Sequence, residues 1–253
     1  MNTLAADLAL ALDPVRLAVR ANVVPDPWQA EVLRSHASRM LLNCSRQSGK
    51  STVTSVLAIH TALYTPGALV LLLSPSLRQS QELFKKCLVT YRAAGRPVPA
   101  SAESAMRLEL DNGSRVVSLP GTDGSIRGFS AVRLLLIDEA SRVLDDLYRA
   151  VRPMLAVGAG RLVAMSTPFG KRGWWHDAWT GDEAWERVRV PASACSRIPA
   201  DFLAEERRAL GQWWYRQEYE CEFSDTTDSL FGADEVRAAI TSDVAPLFGG
   251  NAA

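Results

Sequence analysis

Cys44-Ser45-Arg46-Gln47-Ser48-Gly49-Lys50-Ser51-Thr52 is the stretch whose reading decides the fold of this 253-residue chain. The run Met40-Leu41-Leu42 before it is apolar, and Thr52 to Tyr64 after it has helical texture. A strand, a loop of small residues, Gly-Lys-Ser and then a helix is the order of a phosphate-binding loop. In such a loop backbone N–H groups converge on phosphate oxygens, and the helix dipole adds to their field. Lys50 then serves the β- and γ-phosphates of a nucleoside triphosphate, and the Ser51 hydroxyl takes a place on Mg2+. The pattern departs from the common one in a single place, where Cys44 stands instead of the first glycine.

Working outward, the runs Leu69–Leu73, Arg133–Ile137 and Arg161–Met165 are too apolar for a sheet with one wet face and read as buried parallel strands. Helical segments lie between them, at about 77–93 and 145–157, where Pro153 is expected to kink or end the second. Each strand runs into a polar cluster: Ser74-Pro75-Ser76, Asp138-Glu139 or Ser166-Thr167-Pro168. That alternation predicts an α/β fold with a mainly parallel central sheet and a ligand site at the carboxyl ends of its strands. Asp26 and Pro27 open a helix expected over 28–38. Residues 106–119 form a hairpin around Asn112-Gly113, preceded by a loop at 97–101.

The flanks are less regular. Leu4, Leu8, Leu12 and Val15 lie near helical spacing with Pro14 in the way, which suits a short packing helix or an arm that docks on a neighbour. Residues 173–223 are rich in tryptophan and contain a helix pattern from Asp201 to Tyr219. The expected organisation is a core over 1–172 with an arm at 1–24, a lid subdomain over 173–225, and a linker over 226–253.

Asp138-Glu139 after four apolar residues suits hydrolysis, with Asp138 holding Mg2+ through water and Glu139 polarising the attacking water. An Asp-Glu pair that merely ends a strand is the plain alternative, and the phosphate loop upstream outweighs it. The Gln29 amide can donate to and accept from an adenine edge. Arg127, in the Gly-rich loop with Gly124, Ser125 and Gly128, has the reach to stabilise transferring phosphoryl charge in its own or a neighbouring subunit. Arg46 is a rival for that role, with Arg142, Arg149 and Arg152 behind it. Ser166-Thr167-Pro168 can hydrogen-bond toward the γ-phosphate or the attacking water, or form an ordinary turn.

Bulk composition narrows the remaining classes. Twenty-eight Lys and Arg balance 28 Asp and Glu, so no global charge advertises nucleic acid, and a DNA contact has to come from a local patch; Lys85, Lys86, Lys171 and Arg172 are candidates. Cys44, Cys87, Cys195 and Cys221 are far apart, which argues against a zinc site or disulfide framework and for a reduced, intracellular chain. The histidines His36, His60 and His176 show no ligand spacing. The longest apolar run, Ala68 to Leu73, is too short to span a bilayer, so no membrane is expected.

Taken in order, Trp28-Gln29, Ser45–Thr52, Leu72–Ser76 with Gln79, Ile126-Arg127-Gly128, Leu136–Ala140, Ser166-Thr167-Pro168 and Trp214–Phe223 resemble the ATPase domain of a large terminase subunit. Those motors package DNA into tailed-phage procapsids. An arginine in a phosphate loop that lacks its first glycine is itself a trait of that family, so Cys44 adds to the resemblance. The resemblance implies a RecA-like, additional-strand P-loop NTPase with a small C-terminal lid. It implies ATP binding by Gln29, Ser45, Arg46, Gln47, Ser48, Gly49, Lys50, Ser51 and Thr52, Mg2+ at Ser51 and Asp138, and catalysis by Glu139 with Arg127 or Arg46. Ser166, Thr167 and Pro168 match the motif that couples hydrolysis to movement. The implied partners are double-stranded DNA, a portal protein, a small terminase subunit and further copies in a ring, a pentamer by resemblance, in the cytoplasm of an infected bacterium. Large terminases continue into an RNase H-like nuclease; the sequence suits an excised domain or a naturally short protein, the linker-like tail favours excision, and nuclease activity is not expected. The alternatives are a superfamily 2 helicase-like fragment, for which a second RecA-like domain is wanting, and a nucleotide-gated assembly module without appreciable turnover, against which Glu139 argues.

Overall fold

The computed structural model describes residues 3–121, 126, 128–225 and 239. Its frame is an eight-stranded sheet. The strands are β1 (Arg39–Cys44), β2 (Leu69–Ser74), β3 (Ala100–Glu103), β4 (Arg107–Leu110), β5 (Arg115–Pro120), β6 (Val132–Asp138), β7 (Arg161–Ser166) and β8 (Glu186–Val190). Their order is β3-β4-β5-β2-β6-β7-β1-β8. Strands β5 through β8 in that order are all parallel, and β4 and β3 extend one edge antiparallel.

Alternation along each strand divides the core in two. Met40, Leu42, Val70, Leu72, Leu134, Leu136, Val163 and Met165 face one side. Leu41, Leu71, Leu73, Leu135, Ile137, Leu162 and Ala164 face the other. The first face is covered by α2 (Pro14–Arg20), α3 (Pro27–Arg34), α4 (Lys50–Tyr64) and α5 (Leu77–Ala93), following α1 (Thr3–Leu12). The second is covered by α6 (Asp145–Val151) and α7 (Gly173–Thr180). Both faces being dry is why these strands are continuously apolar. The long helix α8 (Ala200–Glu218) follows β8.

Several elements differ from the expectation. The helix after Pro27 stops at Arg34, short of Ser38, because Ser35 is already extended. Asp145–Val151 gives way to a 3-10 turn at Arg152–Leu155, where Pro153 has no N–H to continue the α-helix. Pro14 starts α2 instead of breaking a helix, with the Asp13 carboxylate accepting the Val15 N–H as its cap. Leu4, Leu8 and Leu12 are exposed, whereas Leu10 on α1 is buried. Ala100–Glu103 is a fully exposed edge strand where a loop was expected.

The segment expected to be a lid is in large part built into the sheet. Strand β8 pairs with β1 from Met40↔Glu186 to Cys44↔Val190, and Trp174, Trp175 and Trp185 belong to the second core. Only the end of the segment forms its own small cluster, where Ala192 packs with Tyr215 and Tyr219. Helix α8 is interrupted at Gly211, whose φ of 74° and ψ of 164° lie in a region essentially reserved for glycine. The linker expected over 226–253 lies, apart from Ala239, outside the described residues.

Candidate nucleotide site

The carboxyl ends of β1, β6 and β7 bring together residues that are far apart in sequence. Loop 45–49 leaves β1 and enters α4 through Gly49, whose φ of 90° is left-handed. A Cβ at Gly49 would stand 2.7 Å from Gln29 Nε2 and 3.2 Å from an Arg197 guanidinium nitrogen, so both conformation and space require glycine. Gln47 is also left-handed, at φ 60°.

The loop is held from outside. The Ser45 N–H donates to the Val190 carbonyl at 2.9 Å, and the Arg46 N–H donates to the Glu218 carbonyl at 3.2 Å. The Ser48 carbonyl accepts from Gln29 Nε2 at 3.3 Å and from Arg197 Nη2 at 2.8 Å. Arg197 is anchored in turn on Asp26, at 2.7 Å. Gln29 is buried, and its Oε1 accepts the Asp26 N–H at 3.0 Å, so its amide is fixed by backbone on both sides. The Arg46 side chain is paired with the nearly buried Glu218 carboxylate at the end of α8. Arg197 and Glu218 were not singled out as loop ligands by sequence; a separation of 149 residues between Arg197 and Ser48 leaves no local signal.

Lys50 and Glu139 meet, with Nζ 3.5 Å from Oε1. Asp138 is buried and accepts the Glu139 N–H on Oδ1 at 3.0 Å. Burial first, and the neighbouring Glu139 charge second, push the Asp138 carboxyl up to about 6, while Lys50 and Lys86 act the other way. Glu139 itself is left-handed, at φ 48° and ψ 45°, directly before a 3-10 turn at Ala140–Arg142. Burial pushes the Cys44 thiol well above its ordinary value, so at the start of the loop it is a small neutral packing group.

Ser51, Asp138 and Glu139 line one cavity of about 160 Å3 with Arg78, Gln79, Glu82 and Lys86 of α5. Lys86 thus faces the same space as the acidic pair. Ser166, Thr167 and Pro168 are buried at the end of β7. The Ser166 hydroxyl lies 2.7 Å from the Ser141 hydroxyl and accepts the Ser141 N–H at 3.2 Å, which ties the end of β7 to the turn after Glu139. Arg142 stacks over Phe169, 4.1 Å from the ring centroid, and Arg127 lies outside the described residues.

A glycine cradle at a helix start, a lysine behind it and a carboxylate pair at the end of a buried parallel strand define a P-loop NTPase of the RecA-like type. The comparisons narrow this further. Residues 41–238 match the family described as "Terminase large subunit, T4likevirus-type, N-terminal", and the chain belongs to that family. It is 25% identical over 243 residues to the terminase large subunit of Thermus virus P23-45, across 82% of this chain and 50% of that protein. It spans about half the length of the curated relatives it matches. Its fold superposes on the large terminase ATPase domain of Thermus phage P74-26 with a TM-score of 0.73 at 20% identity, across 82% of this chain and 97% of that one. The large terminase of a thermophilic bacteriophage, solved in complex with ADP, gives 0.62 at 11% identity, across 85% of this chain and 52% of that one.

Proposed function

We propose that this chain is an ATPase motor domain that hydrolyses ATP to drive double-stranded DNA into a procapsid. The observation that carries the reading is the meeting of Lys50 and Glu139 above the buried Asp138, at the start of α4 and the end of β6. In the free chain Glu139 holds the Lys50 ammonium. A triphosphate competes for that ammonium, and its arrival releases the carboxylate to orient and deprotonate the attacking water.

The residues present fit Mg2+. Among the described residues no group of three or more His, Cys, Asp or Glu forms a cage, and a cation that keeps most of its waters needs none. Ser51 and Asp138 line the same cavity and would hold it, together with the phosphates. Bound there, Mg2+ would supply charge neutralisation to the triphosphate. The amide of Gln29 keeps one N–H and one lone pair to spare for the adenine edge. Ser141 and Ser166 join the hydrolytic turn to Ser166-Thr167-Pro168, which suits a relay from hydrolysis to movement.

Arg127 or Arg46 is proposed to stabilise the transferring phosphoryl group. Arg46 has to leave Glu218 to do so. A ring of copies, pentameric by family resemblance, a portal protein and a small terminase subunit complete the proposed machine in the host cytoplasm. Among the described residues no helix is long and apolar enough to cross a membrane. The proposed division is a core to residue 172 completed by α7 and β8, a lid reduced to the part of 173–225 that follows β8, and a linker beyond.

The test is ATP turnover per chain as protein concentration rises, with Glu139→Ala as the blank. Loss of the base is expected to lower turnover roughly 100-fold or more. A rate that climbs with concentration and vanishes in the blank supports sites completed between subunits. Equal turnover in wild type and blank at every concentration refutes the catalytic reading.

A further inference from the structure

Phe169 follows Ser166-Thr167-Pro168 directly and carries two guanidinium groups. Arg142 lies 4.1 Å and Arg172 5.2 Å from its ring centroid. Both arginines are exposed, and neither makes an ion pair or side-chain hydrogen bond with another described residue. Stacking on an aromatic ring fixes a guanidinium plane while leaving its N–H edge free, the arrangement suited to forked contact with phosphate oxygens.

The three residues line a cavity of about 640 Å3 that shares no residue with the one holding Ser51, Asp138 and Glu139. Two aspartates on its rim are already engaged. Asp145 accepts the Trp174 N–H at 2.9 Å, and Asp146 pairs with Arg149 at 3.2 Å. With Asp146 offset by Arg149, the wall keeps two cations, Arg142 and Arg172, against the single carboxylate of Asp145. In a chain of zero net charge, a pair of fixed, unpaired cations beside an open cavity is a local patch of the kind a polyanion needs.

The geometry points to a backbone-phosphate seat for duplex DNA formed by Arg142, Phe169 and Arg172, separate from the nucleotide site. The inference rests on the DNA-motor reading and deepens it by naming where the duplex is gripped. Its position gives the grip a consequence. Arg142 ends the 3-10 turn that starts after Glu139, and Phe169 follows the Ser166 to which Ser141 of that turn is hydrogen-bonded. A phosphate drawn between the two arginines pulls on both loops at once, so DNA and nucleotide act on one connected piece of backbone.

The experiment is fluorescence anisotropy of the whole chain with two 30-base-pair duplexes of unrelated sequence, from low to moderate salt. Arg172→Ala, Phe169→Leu and Arg208→Ala are compared with wild type, and circular dichroism verifies their folds. Arg172→Ala is expected to bind both duplexes roughly three- to tenfold more weakly, with a salt slope shallower by about one. Phe169→Leu, which changes no charge, is expected to weaken binding at least twofold because both guanidiniums lose their platform. Arg208→Ala removes an equal exposed charge on α8, outside this cavity, and is expected to stay within twofold of wild type. Equal losses for Arg172→Ala and Arg208→Ala, or wild-type affinity in both Arg172→Ala and Phe169→Leu, overturn the seat and leave the motor reading standing. Absence of duplex binding by wild type overturns the seat and the DNA reading together. Sedimentation velocity separates the remaining outcome: weaker self-association of Arg172→Ala with unchanged duplex affinity makes this face a subunit contact and refutes the inference.

Discussion

Asp138→Asn is expected to make the nucleotide-free chain more stable while abolishing its hydrolysis. The Asp138 carboxyl is 8% exposed and raised from 3.8 to about 6, chiefly by burial and then by Glu139. A carboxylate raised on folding binds protons more tightly in the native state, so its ionisation opposes folding once the pH exceeds the unfolded value. The penalty is absent below about pH 3.8, grows through the window up to about pH 6, and is complete above it. Its full size is about 3 kcal/mol, and at pH 5 roughly half of that remains. Asparagine keeps the shape and an acceptor for the Glu139 N–H but carries no charge. For a chain of this size about 3 kcal/mol corresponds to a rise in Tm of roughly 6–12 °C.

The assay is a pair of thermal melts in chelator at pH 8 and pH 5, each comparing wild type with Asp138→Asn. The gap is expected to be large at pH 8 and roughly half as large at pH 5. Mg2+ at pH 8 should raise the Tm of wild type and leave that of the variant unmoved, because a ligand bound only by the native state stabilises by mass action. A variant less stable than wild type at pH 8, or a gap that is the same at both pH values, refutes the reasoning.

Gly49→Ala is expected to lose ATP affinity and to lower stability by about 1–3 kcal/mol, since the new Cβ meets Gln29 and Arg197 at a left-handed residue; calorimetric titration with ATP and denaturant melts check it. Arg46→Ala leaves the nearly buried Glu218 unpaired and should cost about 1–3 kcal/mol, whereas adding Glu218→Gln should restore most of it; a double-mutant cycle with additive losses contradicts the pairing. Gly211→Ala places a side chain at φ 74° and ψ 164°, so a loss of about 1–3 kcal/mol is expected with little change in ATP affinity, read from urea melts and titration.

What the sequence disclosed and what it hid have distinct physical causes. Strands β2, β6 and β7 are legible because burial on both faces forces unbroken apolar runs. Strand β8, Glu-Arg-Val-Arg-Val, escapes that test because only Val190 is buried, although its backbone fills the edge beside β1. Strand β3 carries no apolar side chain larger than alanine, and its four residues are all exposed. The tryptophans show that a core lies near 174–185 but not which one, and three of them join the sheet's second core. Lys50, Ser51, Asp138 and Glu139 are legible because each sits in a local pattern beside a strand end. The partners that hold their neighbours Arg46, Ser48 and Ser166, namely Glu218, Arg197 and Ser141, come from irregular backbone or a helix end whose contacts only folding chooses.

Those hidden partners share an origin that bears on how the site works. Val190, Arg197 and Glu218 all follow β7, and each holds a different residue of loop 45–48. The loop's floor is therefore set by the first part of the chain and its outer wall by the last. Gly211 divides the helix that delivers Glu218, so the wall is jointed close to the ion pair it makes with Arg46. In the proposed function a polyanion entering the loop competes with Glu218 for Arg46, just as it competes with Glu139 for Lys50. The two arginine and lysine pairs thus prepare the same response on opposite sides of the nucleotide. On the proposed reading, one pair frees the Glu139 carboxylate for the attacking water, and the other releases the Glu218 end of α8 from the loop.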